Sequence, residues 1–324
     1  MTIKITLIGL GKIGTSVGLA LAKHAEQIYR VGHDRTPEHS NLAKKLNAID
    51  KVEYNLHASV ANSDIVFLAL PLDQVHKTFE HIAPDLREGT VVMDTAPVKQ
   101  PVVQWAEEFL KPDRYYVGLT PVINAKYLLD TEMGGAGARE DLFQNGMMGL
   151  VSPPGTTSAA IQLAMDLVTL LGAKPLFLDV IEGDSLMAAV HVLPQLLAAS
   201  LASITVNQPG WIEGRKLAGA MYAQSSGALI AGDTPEALKE AIQSGQVHVT
   251  RLLDAVIETL IEMRATALGE ENEFVKWIQN AHTNRGQWWV ERGHGEWVDQ
   301  LPQTEMPTAK GELKRWFLGR RGKD

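Results

Sequence analysis

Three glycines near the start of the chain have the spacing of a phosphate-binding turn. Gly9, Gly11 and Gly14 form Gly-x-Gly-x-x-Gly, behind the short apolar run Ile3–Ile8 and ahead of a helical pattern. Gly9 permits a tight turn, Gly11 lets the backbone approach a pyrophosphate, and Gly14 allows close packing of helix on sheet. The phosphates would rest on the helix N-terminus, where Ile13 lies. The pattern therefore predicts a dinucleotide-binding site.

An acidic residue follows at the distance expected for a ribose contact. Asp34 lies twenty residues beyond Gly14, at the end of a second strand-like run that starts at Ile28. A carboxylate there accepts hydrogen bonds from the adenosine ribose and repels a 2′-phosphate, which favours NAD as the cofactor. Arg35 beside it leaves NADP open. The alternative is an ordinary glycine-rich turn followed by a surface aspartate.

Three polar residues form a stripe on a long apolar segment in the second half of the chain. The offsets between Asp184, His191 and Gln195 put them on one side of a helix, so we expect a shared polar cavity. His191 could deprotonate a substrate hydroxyl while a hydride leaves for nicotinamide. A core histidine bonded to a backbone carbonyl is the alternative. Pro194 should bend this helix because it lacks a backbone N–H.

Two adjacent cations follow the long helix. Arg215 and Lys216 are candidates for binding a substrate carboxylate, since a guanidinium can make bidentate contacts with it. The alternative is an exposed pair that forms a salt bridge with Glu213.

The elements that must position these residues follow an alternating order. Apolar runs ending at Leu70-Pro71 and at Asp94 alternate with helical segments, which predicts an α/β Rossmann-type doubly wound parallel sheet. Leu70 and Pro71 should line the cofactor crevice at the strand ends. Beyond it we expect an all-α domain, with a division into residues 1–181 and 182–324. The loop 124–146 is either functional or a plain connection.

Composition limits the classes of function. The 324 residues suit roughly two domains, and the net charge of −8 argues against nucleic-acid and anionic-membrane partners. The absence of cysteine excludes disulfides, thiolate metal sites and thiol catalysis. The apolar stretch 187–206 contains His191, Pro194 and Gln195, so it predicts a buried core helix rather than a membrane span. With a strand starting at residue 3, we expect no signal peptide and a cytoplasmic protein that binds a small molecule.

Several motifs together resemble the prephenate/arogenate dehydrogenase family. The resemblance runs from Ile5 to about Arg285 and includes the glycine turn and the segments 64–71, 94–99, 117–121, 142–146 and 184–195. It implies a Rossmann domain joined to an all-helical dimerisation domain, and therefore a homodimer. It also implies oxidation of a ring alcohol with NAD or NADP and loss of carbon dioxide, in tyrosine biosynthesis.

The departures from the family pattern fall on the substrate side. Pro97 replaces a serine, Thr120 replaces the histidine of a His-Pro pair, and Gln195 replaces the second histidine of the helix motif. His191 is displaced by one position, a rotation of ~100° on a helix. The resemblance places Thr120 at a catalytic position and Lys99 and Gln195 in the pocket, and it aligns the substrate-binding arginine with Lys216, beside Arg215.

These changes leave three hypotheses open. The first is a dehydrogenase of this family acting on prephenate or on another small carboxylated alcohol. The second is a reductase running the other way, on an imine or keto acid. The third is a catalytically silent protein that senses a nucleotide or ligand.

Overall fold

The computed structural model describes residues 2–268 and 271–295, which contain one mostly parallel sheet followed by helices. The strands are β1 (Ile3–Ile8), β2 (Ile28–His33), β3 (Lys51–Val52), β4 (Ile65–Leu68), β5 (Val91–Asp94), β6 (Tyr115–Val122), β7 (Met147–Val151) and β8 (Lys174–Phe177). Their order across the sheet is β3-β2-β1-β4-β5-β6-β7-β8. β1 and β4 are neighbours, so the direction of winding reverses between them. The predicted Rossmann-type fold is confirmed.

Helices cover both faces of this sheet. They are α1 (Lys12–Leu21), α2 (Pro37–Lys45), α3 (Leu56–Val60), α4 (Leu72–Ile82), α5 (Gln100–Phe109) and α6 (Ser158–Leu170). One apolar cluster joins α1 and α6 to one face, and a second joins α4 and α5 to the other. Every residue of β4 and β5 is buried, which explains why both strands are continuous apolar runs.

The last two strands depart from the expected parallel arrangement. β7 pairs antiparallel with β6, with Gly118 opposite Val151, and β8 runs parallel to β7. A parallel neighbour needs a crossover connection, usually a helix. The β6–β7 connection contains only two short 3-10 turns, Ala125–Tyr127 and Gly134–Gly137, so the chain returns in the opposite direction.

The β6–β7 connection packs against α1, beside the glycine turn. The ammonium of Lys12 lies 3.3 Å from a carboxylate oxygen of Asp130, and the backbone N–H of Arg139 donates to the hydroxyl of Ser16 at 3.0 Å. The loop is therefore an ordered part of the nucleotide-binding domain, attached to the helix that begins at the turn.

The second half of the described chain is helical. Its elements are α7 (Val180–Met187), a π-helical turn (Ala188–Val192), α8 (Leu193–Val206), α9 (Trp211–Leu217), α10 (Ala220–Ser226), α11 (Ala228–Ala231), α12 (Pro235–Ser244), α13 (Gln246–Ala267) and α14 (Glu271–His294). α7 begins at the N-cap Asp179, whose carboxylate accepts from the backbone N–H of Ile181. The predicted domain boundary at 181/182 falls at this helix start and stays a prediction. The sequence also predicts a basic tail from Lys310, with six basic residues against two acidic ones, and this tail lies outside the described residues.

The long apolar helix differs from the expected buried core helix. Within the described residues, Val180–Val206 is long and apolar enough to cross a membrane, yet only 22% of its most apolar window is buried. One side packs on the protein through Asp184, Ala188 and Gln195, while Val190 and Ile204 on other sides are 68% and 64% exposed. The π-helical turn Ala188–Val192 precedes Pro194. Its wider hydrogen-bonding pattern accommodates a proline, which lacks the backbone N–H that a regular α-helix would use at that position.

Candidate active site

Packing within the protein requires glycine at two positions of the turn. Gly9 has φ +88°, and a Cβ there would lie 2.3 Å from the carbonyl oxygen of Ala69. A Cβ on Gly14 would lie 1.9 Å from the carbonyl oxygen of Gly9. Both contacts are far shorter than van der Waals distance, so these glycines hold α1 against β1 and β4. This agrees with the roles predicted from the sequence.

Gly11 is not required by packing. A Cβ on Gly11 would meet no atom of the described residues within 4 Å. Gly11 is the N-cap of α1, and no side chain in the described residues caps that end. The first backbone N–H groups of a helix are then available to an anion, and a Cβ would fill the space that a phosphate needs. The turn therefore fits a pyrophosphate.

The carboxylate of Asp34 faces the same turn. Its Oδ2 accepts from the backbone N–H of Leu10 at 2.8 Å, and its Oδ1 accepts from the backbone N–H of Thr36 at 2.8 Å. His39 lies near Oδ1, at 3.3 Å from its Nδ1. Each carboxylate oxygen has two lone pairs, so the fixed carboxylate can accept further bonds from ribose hydroxyls.

These residues border a cleft of about 320 Å³ at the carboxyl ends of β1, β2 and β4. Six of the predicted cofactor residues line it: Gly9, Gly11, Asp34, Arg35, Leu70 and Pro71. Gly14 and Ile13 are not among its lining residues. Gly14 lies against the carbonyl of Gly9, and Ile13 is partly buried against the core. Their predicted roles act through the backbone of the helix start.

Several lining residues of the cleft were not predicted from the sequence. They are Ile8, His33, Thr36, His39, Leu56, Ala69, Gln74 and Thr78. Gln74 and Thr78 lie one turn apart on α4, directly after the Leu70-Pro71 strand end. Their four-residue spacing on a helix that starts at the crevice is a signal that could have identified them.

The side chain of Lys99 is buried. Its side chain is 1% exposed, and its ammonium lies 2.9 and 3.1 Å from the two carboxylate oxygens of Asp94. The hydroxyl of Tyr116 donates to the same carboxylate at 2.5 Å. Burial lowers the pKa of Lys99, and the carboxylate of Asp94 partly offsets that effect. The predicted substrate-binding role therefore disagrees with the geometry, which gives this ammonium a buried structural partner.

Asp184 connects the helical domain to the nucleotide-binding domain. Its two carboxylate oxygens accept from the backbone N–H groups of Lys99 at 2.6 Å and of Gln100 at 2.9 Å. The carboxylate thus caps the N-terminus of α5 from another domain. Burial raises the pKa of Asp184, although the two backbone hydrogen bonds act in the opposite direction. The carboxylate of Asp184 is bonded to the start of α5, and the polar cavity shared with His191 and Gln195 stays a prediction.

Thr120 lies on the face of β6 that carries Tyr116 and Gly118, because side chains on a strand alternate between its two faces. It is 8% exposed and pairs with Gly149 of β7. Gly118 packs against the aliphatic stem of Lys99, so this face adjoins the start of α5 and the carboxylate of Asp184. Thr120 therefore borders the junction between the two domains.

His191 and Gln195 meet at a carboxylate that the sequence analysis did not identify. Nε2 of His191 lies 2.8 Å from Oδ2 of Asp233, and the side-chain amide of Gln195 donates to the same oxygen at 3.1 Å. Burial raises the pKa of Asp233, but the hydrogen bonds from His191 and Gln195 and the charge of His191 outweigh it, so the pKa lies below its ordinary value. His191 is thus paired with a side chain and is not a core histidine bonded only to a carbonyl.

The two predicted carboxylate-binding cations lie on the surface. Arg215 and Lys216 are exposed in α9, and the ammonium of Lys216 lies 3.4 Å from the carboxylate of Glu213. This is the exposed ion pair that the sequence left open as the alternative. Among the described residues, neither cation forms a hydrogen bond or an ion pair with a cleft residue or with His191.

Comparison with known proteins identifies the relatives of this chain. Residues 17–176, about half of the chain, match the family model described as prephenate dehydrogenase, nucleotide-binding domain. The chain is 30% identical over 201 residues to the prephenate dehydrogenase of Lactococcus lactis subsp. cremoris (strain MG1363), covering 61% of this chain and 52% of that relative. It is 29% identical over 203 residues to the prephenate dehydrogenase of Bacillus subtilis (strain 168), covering 62% and 53%. This half of the chain belongs to the prephenate dehydrogenase family.

The fold agrees with this family. The crystal structure of prephenate dehydrogenase from A. aeolicus, in complex with hydroxyphenyl propionate and NAD+, superposes with a TM-score of 0.76 at 18% identity. The superposition covers 89% of this chain and 98% of that one. The alignments span about half the length of the L. lactis and B. subtilis prephenate dehydrogenases. The family membership and the nucleotide-binding nature of the first domain, both predicted from the sequence, are confirmed.

Proposed function

We propose that this chain is an NAD-dependent dehydrogenase that oxidises the ring alcohol of a small carboxylated substrate, with prephenate or arogenate as the leading candidates. The observation that carries the proposal is the fixed carboxylate of Asp34 beside the open N-terminus of α1. Backbone donors for a pyrophosphate and an acceptor for a ribose thus lie in one cleft. The similarity to named prephenate dehydrogenases supports this substrate class, in which oxidation is coupled to loss of carbon dioxide on the way to tyrosine.

The residues of this chain form two regions, one that binds the cofactor and one that acts on the substrate. NAD, when bound, supplies the hydride acceptor. The glycine turn and Asp34 hold the cofactor, with Arg35, Leu70 and Pro71 lining the same cleft. His191 would accept the proton of the substrate hydroxyl, because a neutral imidazole is a suitable base near neutral pH. Thr120 would contact the substrate from β6.

NAD is favoured over NADP by the position of Asp34. A carboxylate held by Leu10 and Thr36 cannot turn away from the ribose site without losing two hydrogen bonds. A 2′-phosphate placed there would meet a fixed negative charge. Arg35 lines the same cleft and is exposed, so it is the residue that would support residual NADP binding.

A second candidate is a related dehydrogenase or reductase acting on a different small carboxylated or imine substrate. The observation that favours it is the placement of the substrate-side residues. Lys99 is buried against Asp94, Arg215 and Lys216 are exposed, and Gln195 is bonded to Asp233. Within one chain, these residues supply no cation to a substrate carboxylate near His191. A non-catalytic nucleotide sensor is the remaining alternative.

Absorbance at 340 nm during incubation with NAD and either prephenate or arogenate tests the proposal. We expect NADH formation with one of these substrates, and a loss of about 100-fold or more in kcat for His191→Ala, the range of a general base. Turnover of an imine or keto acid with NADH, and none of prephenate or arogenate, would establish the second candidate. Tight NADH binding without turnover on any of these compounds would establish the sensor.

We further propose that the enzyme is a cytoplasmic homodimer formed through the helical domain. Large apolar side chains are exposed on several of its helices, namely Val190, Leu197 and Ile204, Met221 and Ile230, and Ile257, Leu260 and Ile261. An exposed apolar area spread over several helices is typical of a subunit interface. A bilayer is the less suitable environment for Val180–Val206, because Asp184 and Gln195 on this helix are buried against the protein. Sedimentation equilibrium should give twice the mass of the chain.

A further inference from the structure

Asp233 and His191 form a carboxylate–imidazole pair between two separate helices. Nε2 of His191, in the π-helical turn before α8, lies 2.8 Å from Oδ2 of Asp233, two residues before α12 begins. The imidazole is 33% exposed and the carboxylate 16% exposed. The carboxylate is thus shielded while part of the ring remains accessible.

Gln195 clamps Asp233 at two points. Its amide nitrogen donates to Oδ2 of Asp233 at 3.1 Å, and its carbonyl oxygen accepts from the backbone N–H of Asp233 at 2.8 Å. The amide nitrogen also donates to the backbone carbonyl of His191 at 3.0 Å. Gln195 is 3% exposed, so its donors and acceptor are used inside the protein. The glutamine therefore fixes the carboxylate relative to the helix that carries the imidazole.

The backbone beside Asp233 is shaped to receive this amide. A Cβ on Gly232 would lie 2.2 Å from the carbonyl oxygen of the Gln195 side chain. On the other side, Thr234 caps α12 by accepting from the backbone N–H of Ala237, and Pro235 occupies the first turn. The sequence Gly-Asp-Thr-Pro thus sets Asp233 at a rigid helix start, in contact with Gln195.

The packing of α12 against α4 connects the Asp233–His191 pair to the cofactor-binding cleft. Ala237 and Ala241 of α12 are buried in the same apolar cluster as Leu72 and Val75 of α4. α4 begins directly after Pro71, which lines the nucleotide cleft. Asp233 is therefore anchored to the helix that leaves the cleft edge, while His191 belongs to the helix that Asp184 fixes to the start of α5.

The chemistry of the contact determines which imidazole nitrogen is available. An ionised carboxylate only accepts hydrogen bonds, so the nitrogen that faces Asp233 must carry a proton. In neutral His191 that nitrogen is Nε2, and Nδ1 then carries the lone pair that can accept a proton. An imidazole without such a partner would distribute its proton between both nitrogens and rotate about its side-chain bonds.

We propose that Asp233 is a positioning residue that, held by Gln195, fixes the orientation and tautomer of His191 so that Nδ1 is its proton-accepting atom. This inference rests on the proposed function of His191 as the base. Asp233 does not contact the substrate in this role, and it acts through the ring that it holds. The same carboxylate would stabilise the imidazolium that forms when Nδ1 takes the proton.

Nitrogen NMR on protein labelled at histidine tests the inference without a substrate. The His191 signals are assigned by their loss in His191→Ala. We expect neutral His191 to carry its proton on Nε2 in the wild type and to be distributed between both tautomers in Asp233→Ala. Asp233→Glu should restore the wild-type pattern in part, and Asp254→Asn, an exposed carboxylate on α13, should leave it unchanged.

Kinetics on the full chain provides the second readout. We expect Asp233→Ala to lower kcat by about 10- to 100-fold, the range typical of a residue that orients a functional histidine, with KM for NAD unchanged. In His191→Ala the further removal of Asp233 should cost nothing, since the two act as a unit. Gln195→Ala provides the same tests if Asp233→Ala fails to fold.

The outcomes separate this inference from the proposed function. An unchanged His191 tautomer in Asp233→Ala would overturn the inference, whatever the activity. A tautomer change in a protein that turns over no substrate would support the pair as a structural fact and overturn the function proposed for it. The inference would also be overturned if Asp233→Ala lowered kcat by the same factor in the wild type and in His191→Ala. Such a result would show that the two residues have independent roles.

Discussion

The carboxylate of Asp184 accepts the backbone N–H of Lys99 at 2.6 Å, which joins the first helix of the helical domain to the start of α5. The same carboxylate accepts the backbone N–H of Gln100 at 2.9 Å. A helix N-terminus is usually capped by a neighbouring residue in the sequence, and here the cap comes from 84 residues away. The position of the helix that carries His191 is therefore coupled to the strand ends of the sheet.

Removal of this cap should destabilise the protein. Asp184→Ala leaves two backbone N–H groups at the start of α5 without their acceptor, which costs roughly 1–3 kcal/mol when such groups are buried. Urea denaturation against Asp254→Asn as a surface control measures the difference. Equal stabilities of Asp184→Ala and the control would show that the cap is dispensable.

The raised pKa of Asp184 predicts that the stability of the protein depends on pH. Burial raises the pKa of Asp184 in the folded state, so the folded chain binds this proton more tightly than the unfolded chain. The stability contributed by the protonated group is present below the unfolded pKa and is lost as pH rises through the folded pKa. We therefore expect the difference in the free energy of unfolding, wild type minus Asp184→Ala, to fall as pH rises from the unfolded pKa of Asp184 to its folded pKa. At higher pH this difference should stay constant.

We expect Lys99 to stabilise the folded protein rather than to bind the substrate. Lys99→Met leaves the buried carboxylate of Asp94 without its cation, which typically costs about 3–5 kcal/mol. Changing both partners, in Lys99→Met with Asp94→Asn, should recover part of that loss because no charge is left unpaired. Denaturation curves measure both variants, with the exposed Lys111→Met as the control. A variant of normal stability that loses only substrate affinity would restore the substrate-binding role.

The glycine turn provides a matched pair of variants. Gly11→Ala adds a methyl group where it meets no protein atom, so we expect an unchanged Tm and a large loss of NADH affinity. Gly14→Ala places a methyl group 1.9 Å from the carbonyl of Gly9, so we expect a lower Tm. Thermal unfolding and fluorescence titration with NADH measure the two effects. Normal NADH binding by Gly11→Ala would contradict the assignment of the pyrophosphate site.

Cofactor preference should depend on Asp34 and Arg35. Asp34→Ser removes the charged acceptor of the ribose bonds, worth about 1.5–3 kcal/mol, so the Kd for NADH should rise by roughly 10- to 150-fold. The Kd for NADPH should fall relative to that for NADH, and Arg35→Ala in the same background should cancel that gain. The exposed Glu107→Gln serves as the control. An unchanged ratio of the two Kd values would exclude Asp34 as the determinant.

The cofactor half could be predicted from the sequence because its determinants are local. Gly9, Gly14 and Asp34 have roles set by the backbone geometry of a strand, a turn and a helix within a short segment. The lining positions Gln74 and Thr78 also carry a local signal, namely their four-residue spacing on the helix that follows Pro71. The start of α12 is likewise local, since its cap Thr234 and its proline Pro235 are adjacent in the sequence.

The arrangement of the substrate-side residues could not be predicted from the sequence, because it depends on contacts between distant segments. The sequence alone determined the nucleotide-binding turn, the alternating order of the first domain and the helical nature of the second. Only the tertiary structure decided that Lys99 is buried against Asp94 and that β7 runs antiparallel. It likewise decided that His191 meets Asp233, 42 residues away, at a contact that no local pattern encodes. The physical reason is that periodicity and turn chemistry are properties of neighbouring residues, whereas the partner of a buried polar group depends on how the helices pack.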